Sequence, residues 1–129
     1  MTTYFVSEDV SQGNAVAIDP DGNIVVAGYT IGFGSDFAVV RYTSNGTLDT
    51  SFSDDGKQTT DFGLDQDIAY AVAIQDDGKI VVAGYATTGN QNWALARYDT
   101  DGSLDSSFGS NGRVVTDFNA TGEYARGVA

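Results

Sequence analysis

A chain of 129 residues is long enough to bury about two thirds of the surface its unfolded form exposes, so one packed domain is within reach. Six basic against 18 acidic residues give a formal net charge of −12, a field that repels phosphate backbones and anionic headgroups and argues against nucleic acid or membrane partners. Neither Cys nor His occurs, which removes disulfides, thiolate nucleophiles, imidazole bases and the usual zinc sites.

The first residues, Met1-Thr2-Thr3-Tyr4-Phe5-Val6, hold no basic stretch followed by an apolar run, so this sequence shows no signal peptide. Apolar runs such as residues 24–27 are far below membrane-spanning length. A first strand is expected near residues 15–18. It leads through Asp19-Pro20-Asp21-Gly22 into a second strand at 24–29; Pro presets the turn and Gly supplies the positive φ that closes a hairpin. This second strand is β-branched and apolar on both alternating faces, the pattern of a strand covered on both sides. Residues 31–35 read as a Gly-rich loop, residues 37–42 as a third strand, and the more polar residues 57–62 as a fourth.

The same elements then recur at an offset of about 56 residues. Ala15-Val16-Ala17-Ile18 returns as Ala71-Val72-Ala73-Ile74, and Asp21-Gly22-Asn23-Ile24-Val25-Val26-Ala27-Gly28-Tyr29 as Asp77-Gly78-Lys79-Ile80-Val81-Val82-Ala83-Gly84-Tyr85. Arg41-Tyr42 matches Arg97-Tyr98, Leu48-Asp49 matches Leu104-Asp105, and Thr60-Asp61-Phe62 matches Thr116-Asp117-Phe118. The expected fold is all-β: two tandem four-stranded antiparallel units at 15–62 and 71–118, blade-like and open-ended. Sheets apolar on both faces need neighbours of their own kind, and a polar last strand suits an edge. By the same offset, residues 3–6 correspond to 59–62, as the end strand of a preceding unit, and residues 125–129 to 69–73, as the start of a third. The chain therefore reads as cut out of phase with its own units.

The string A-V-A-I-x-x-D-G-[NK]-I-V-V-A-G-Y, followed by A-x-x-R-Y, G-x-L-D-x-S-F and T-D-F, resembles the delta-60 repeat, a β-propeller-type tandem repeat of bacterial surface and secreted proteins. The resemblance spans nearly the whole chain and implies a propeller-type architecture and an extracellular or cell-surface location. It carries no catalytic residues. The first copy has Ser53 where the second has Gly109, which puts one loop conformation in question.

Three constellations invite functional readings. Asp99, Asp101 and Asp105 surround Gly102 in a partial match to a calcium loop, but the first copy has Thr43, Asn45 and Asp49 there and no closing Glu follows. Asp-Gly and Asn-Gly are also the preferred hairpin turns, and each copy has three. The turn reading is favoured, and the fold is expected not to depend on calcium. Arg41 and Arg97 interrupt apolar strands and are expected to be buried against Asp49 and Asp105, an arrangement favoured over carboxylate binding. Tyr29, Phe33, Phe37, Tyr85 and Trp93 flank the link between strands two and three, where packing is favoured over a glycan surface. Every Asp is expected in or beside a turn and solvated, which leaves no carboxyl group in an apolar pocket for hydrolytic chemistry.

No catalytic, cofactor-binding or metal-ligating residue is therefore assigned, and the chain is not expected to be an enzyme. The expected function is a structural repeat module that associates head to tail with copies of itself or further repeats, as filament, tube or ring. The alternative is a binding module for a glycan or protein ligand.

Overall fold

The computed structural model describes residues 2–4, 10–63, 65–87, 89–118 and 125–129. These residues contain eight strands and no helix: β1 (Val10–Ile18), β2 (Ile24–Gly32), β3 (Gly34–Tyr42), β4 (Lys57–Thr60), β5 (Asp67–Ile74), β6 (Ile80–Thr87), β7 (Gln91–Tyr98) and β8 (Arg113–Thr116). Each half is an antiparallel meander in spatial order β1-β2-β3-β4 or β5-β6-β7-β8, so the polar fourth strand is an edge.

The turns follow the dipeptide chemistry. All six glycines of the Asp-Gly and Asn-Gly pairs, at 22, 46, 56, 78, 102 and 112, have φ between 83° and 89°, a region open to Gly at no steric cost. In the first hairpin the Gly22 N–H donates to Asp19 O at 3.0 Å and the Asp19 N–H to Asn23 O at 2.9 Å. Ser53 takes a positive φ of 51°, as Gly109 does at 55°. The two loops then diverge, because the next left-handed residue is Asp54 in one and Asn111 in the other.

Three strand limits differ from expectation. β1 and β5 begin several residues earlier, at Val10 and Asp67, and each passes a bulge, between Gly13 and Ala15 and between Ala69 and Ala71. Residues 31–35 are not a loop: β2 and β3 continue to a tight hairpin in which Gly32 pairs with Gly34 and Phe33 alone forms the tip. The fourth strand ends at Thr60 instead of 62, because the Phe62 N–H turns to the Asp67 carboxylate at 2.6 Å.

The two sheets lie face to face, with the core between them. Val25, Ala27, Phe37 and Val39 of the first sheet meet Ala69, Ile80, Val82, Ala94, Ala96 and Tyr98 of the second. The alanines let the sheets approach closely, and the larger side chains of the facing layer fill the gaps they leave.

Candidate assembly interface

The Arg41 guanidinium sits at the core's edge. Its Nε donates to Asp49 Oδ2 at 2.7 Å, Nη2 to Ser51 Oγ at 3.2 Å, and Nη1 crosses to Thr100 O of the second sheet at 2.6 Å. The Phe52 ring lies 4.9 Å below it. The Ser51 hydroxyl and N–H, with Arg41, hold Asp49 below the usual carboxylate value against the opposing effect of burial. In the second copy Arg97 Nε meets Asp105 Oδ2 at 2.8 Å over Phe108, and Lys79 joins at 2.8 Å where the first copy has Asn23. Lys79, then Ser107 and Arg97, draw the Asp105 carboxyl well below its usual range. Arg97 is not as buried as expected: its side chain is 22% exposed against 9% for Arg41, because among the described residues no further sheet covers its side of the second sheet.

Further bonds tie the sheets together. The Ser53 N–H donates to Asp101 O at 2.7 Å, Gln58 Nε2 to Gly102 O at 3.0 Å, and Arg113 Nη1 to Asp61 O at 2.6 Å. Asn14 Nδ2 donates to Ala69 O at 2.7 Å. At the centre Thr60 Oγ1 and Tyr98 OH lie 2.6 Å apart, fully buried, and burial pushes the Tyr98 phenol above its usual value.

The outer faces repeat the two halves of this inner contact. Val72 and Ile74 pack against the core, whereas their counterparts Val16 and Ile18 are 64% and 60% exposed. On the opposite side Phe37 is fully buried and meets Phe62 at 4.8 Å; its counterpart Trp93 is 44% exposed and meets an exposed Phe118 at 5.1 Å. The chain's own end segments touch these faces as a neighbour would. Thr3 Oγ1 lies 2.6 Å from Tyr42 OH and Lys57 Nζ donates to Tyr4 O at 3.0 Å, repeating the Thr60–Tyr98 and Arg113–Asp61 contacts. Thr3 thus stands for Thr60 and not for Thr59, a register one residue from the expected one; Phe5 and Val6 lie outside the described residues. Residues 125–129 carry no strand, yet Ala125 is buried against Ala71 and Ala83 much as Ala69 is buried in the inner core.

Asp99, Asp101 and Asp105 do not come together as a set of three: Lys79 stands between two of them and the third turns away. Asp99 faces Lys79 at 3.0 Å, Asp101 accepts from Ser103, and Asp105 is taken by Lys79, Arg97 and Ser107. Nor do the aromatic residues form one surface. Phe37 and Tyr85 are buried, Tyr29 bonds Gln12 at 3.2 Å, and Phe33 projects fully exposed beside an open groove of about 630 Å³ lined by Ile31, Ser35, Gln66, Thr87 and Gln91. The expectation that every Asp is solvated is overturned by Asp67, in β5 and 1% exposed, and by Asp105 at 4%, and Asp36, half-buried within β3, lies in a strand and not in a turn. Sequence reasoning missed Asp36 and Asp67 because neither stands beside a turn dipeptide.

The model of a family described as a domain of unknown function (DUF5122), beta-propeller, matches residues 20–52 and 75–108, just over half of the chain and one stretch per sheet. No curated protein matches it.

Proposed function

The chain belongs to the DUF5122 β-propeller family, and on that premise we propose that it is a structural repeat module of the delta-60 type whose sheets stack head to tail with copies of itself or with further repeats. One observation supports this reading above the others: Val16 and Ile18 are bare in the first sheet where Val72 and Ile74 are covered in the second, and Trp93 is half bare where Phe37 is covered. Each outer face thus matches one half of a contact the chain already makes. Covering side chains of this size and exposure contributes about 1–2 kcal/mol apiece. Contact between two unlike faces is heterologous, and it closes as a ring or runs on as a filament or tube according to the rotation per step.

In this proposal the module is not an enzyme and works outside the cell or on its surface. Sedimentation velocity over a rising concentration series tests the stacking: the sedimentation coefficient is expected to climb, and a single monomeric species throughout contradicts it. A second reading, a binding module, draws on exposed Phe33 and the adjoining groove. A glycan or peptide that binds wild-type protein but not Phe33→Ala, with sedimentation unchanged, favours that reading.

A further inference from the structure

Asp65 and Gln66, in the link between the sheets, lie beside the start of β3. The Ser35 N–H donates to Asp65 O at 3.1 Å, and Ser35 bridges Gln66 in parallel register. This places three acidic side chains together: Asp36 from β3, Asp61 just past β4, and Asp67 at the start of β5. One carboxylate oxygen from each lies within 4.8 Å of the others.

Proximity of acids alone is no site, but Asp67 adds a separate fact. The residue is 1% exposed, its Oδ2 accepts from the Phe62 N–H, and its buried Oδ1 is left without a hydrogen bond, the nearby Thr87 N–H going to Gln66 O at 2.9 Å. A buried carboxylate oxygen without a partner loses its hydration for nothing in return. Among the described residues no basic side chain bridges any of the three acids. Burial, with the charges of Asp61 and Asp36, raises the Asp67 carboxyl above its usual value, and Asp67 is the desolvated member of the cluster, beside half-buried Asp36 and exposed Asp61. Against the expectation of a calcium-independent fold, which rests on the turn sequences alone, we propose that Asp36, Asp61 and Asp67 form a calcium site that fastens the link between the two sheets onto β3.

The chemistry selects the ion. Three carboxylates and no nitrogen or sulfur donor suit a hard cation. Calcium, with oxygens at about 2.3–2.6 Å, tolerates ligand oxygens up to about 5 Å apart across the ion, whereas magnesium at about 2.0–2.1 Å demands a tighter octahedron. By the repeat offset the corresponding positions are Asn92, Asp117 and Glu123, oxygen donors in all three. The ligands are 25 and six residues apart, unlike any continuous calcium loop, and only the antiparallel meander brings them together.

The test uses the full chain at low concentration, melted in chelator and then in about 10 mM calcium or magnesium chloride, a range that saturates weak extracellular-type sites. Calcium is expected to raise Tm by about 5 °C, and magnesium by clearly less. Asp67→Asn is expected to fold at least as stably in chelator, since it removes a buried charge, and to lose the calcium response; Asp36→Asn is expected to lose it too, and Asp101→Asn to keep it. No Tm shift and no calorimetric heat with wild-type protein overturns the proposal. An undiminished shift in the Asp36 and Asp67 variants, or equal responses to both ions, overturns it as well.

Discussion

Replacing Arg41 with Ala removes a charge-assisted bond to Asp49, the bond to Thr100 O of the second sheet, the contact with Ser51 and the cation over Phe52. Breaking a buried pair by deleting one partner typically costs about 3–5 kcal/mol, mostly because the other charge is stranded. Asp49 keeps the hydroxyl and N–H of Ser51, which puts the expected loss near the lower end, about 3 kcal/mol, or roughly 10 °C in Tm for a chain of this size. Arg97→Ala is the matched control. Its guanidinium is more exposed, Lys79 continues to neutralise Asp105, and among the described residues it bonds no carbonyl of another sheet. Its cost in dilute solution is expected to be less than about half that of Arg41→Ala, since exposed pairs contribute little. Urea unfolding at low protein concentration, comparing midpoints at constant m, measures both. Equal losses, or a larger one at Arg97, would refute the argument that contact between sheets gives Arg41 its weight.

Acid stability has a defined sign. Asp49 and Asp105 are held below their unfolded value of 3.8, so the stability they contribute is full above that pH and lost as pH falls through their lower folded values. Asp67, raised to about 6, works the other way: in chelator its protonation favours the fold as pH drops through 6. Tm is therefore expected to hold or rise from pH 7 to about 4 and fall steeply below; a steady decline beginning at pH 6 contradicts this. At Gly28 an added Cβ would lie 1.8 Å from Gln12 O, at the β1 bulge, whereas at Gly32 it would meet nothing within 4 Å. Gly28→Ala is expected to cost about 3 kcal/mol or more and Gly32→Ala to stay within about 0.5 kcal/mol, both read by urea unfolding; similar behaviour of the two would count against the observed bulge geometry.

The sequence carries its architecture openly because the repeat doubles every signal. Three turn glycines, one Arg–Asp pair and the central Val-Val-Ala-Gly-Tyr strand each occur twice at one spacing, so a local accident is easily told from a rule. Single-copy features were not legible. Phe33 as a hairpin tip depends on Gly32 and Gly34 continuing the ladder, where glycines more often signal a loop. The position of Thr3 differs by one residue because the stretch from Thr3 to Ala15 is one residue longer than that from Thr60 to Ala71, and the low identity there could not fix the register. The inter-sheet acceptor Thr100 O is a backbone atom, invisible to residue-type reasoning. The Asp36, Asp61 and Asp67 cluster is a product of topology alone.

The central claim, stacking through two unlike faces, is tested most directly by blocking one face at a time. Val16→Glu disables one outer face and Trp93→Glu the other; the two side chains are already 64% and 44% exposed, so the fold is expected to survive and circular dichroism verifies it. Each variant alone keeps one competent face and is expected to sediment as a monomer, while an equimolar mixture forms a one-to-one heterodimer and nothing larger. Undiminished self-association of either variant, or a mixture that remains monomeric at concentrations where the wild-type chain associates, would contradict head-to-tail stacking.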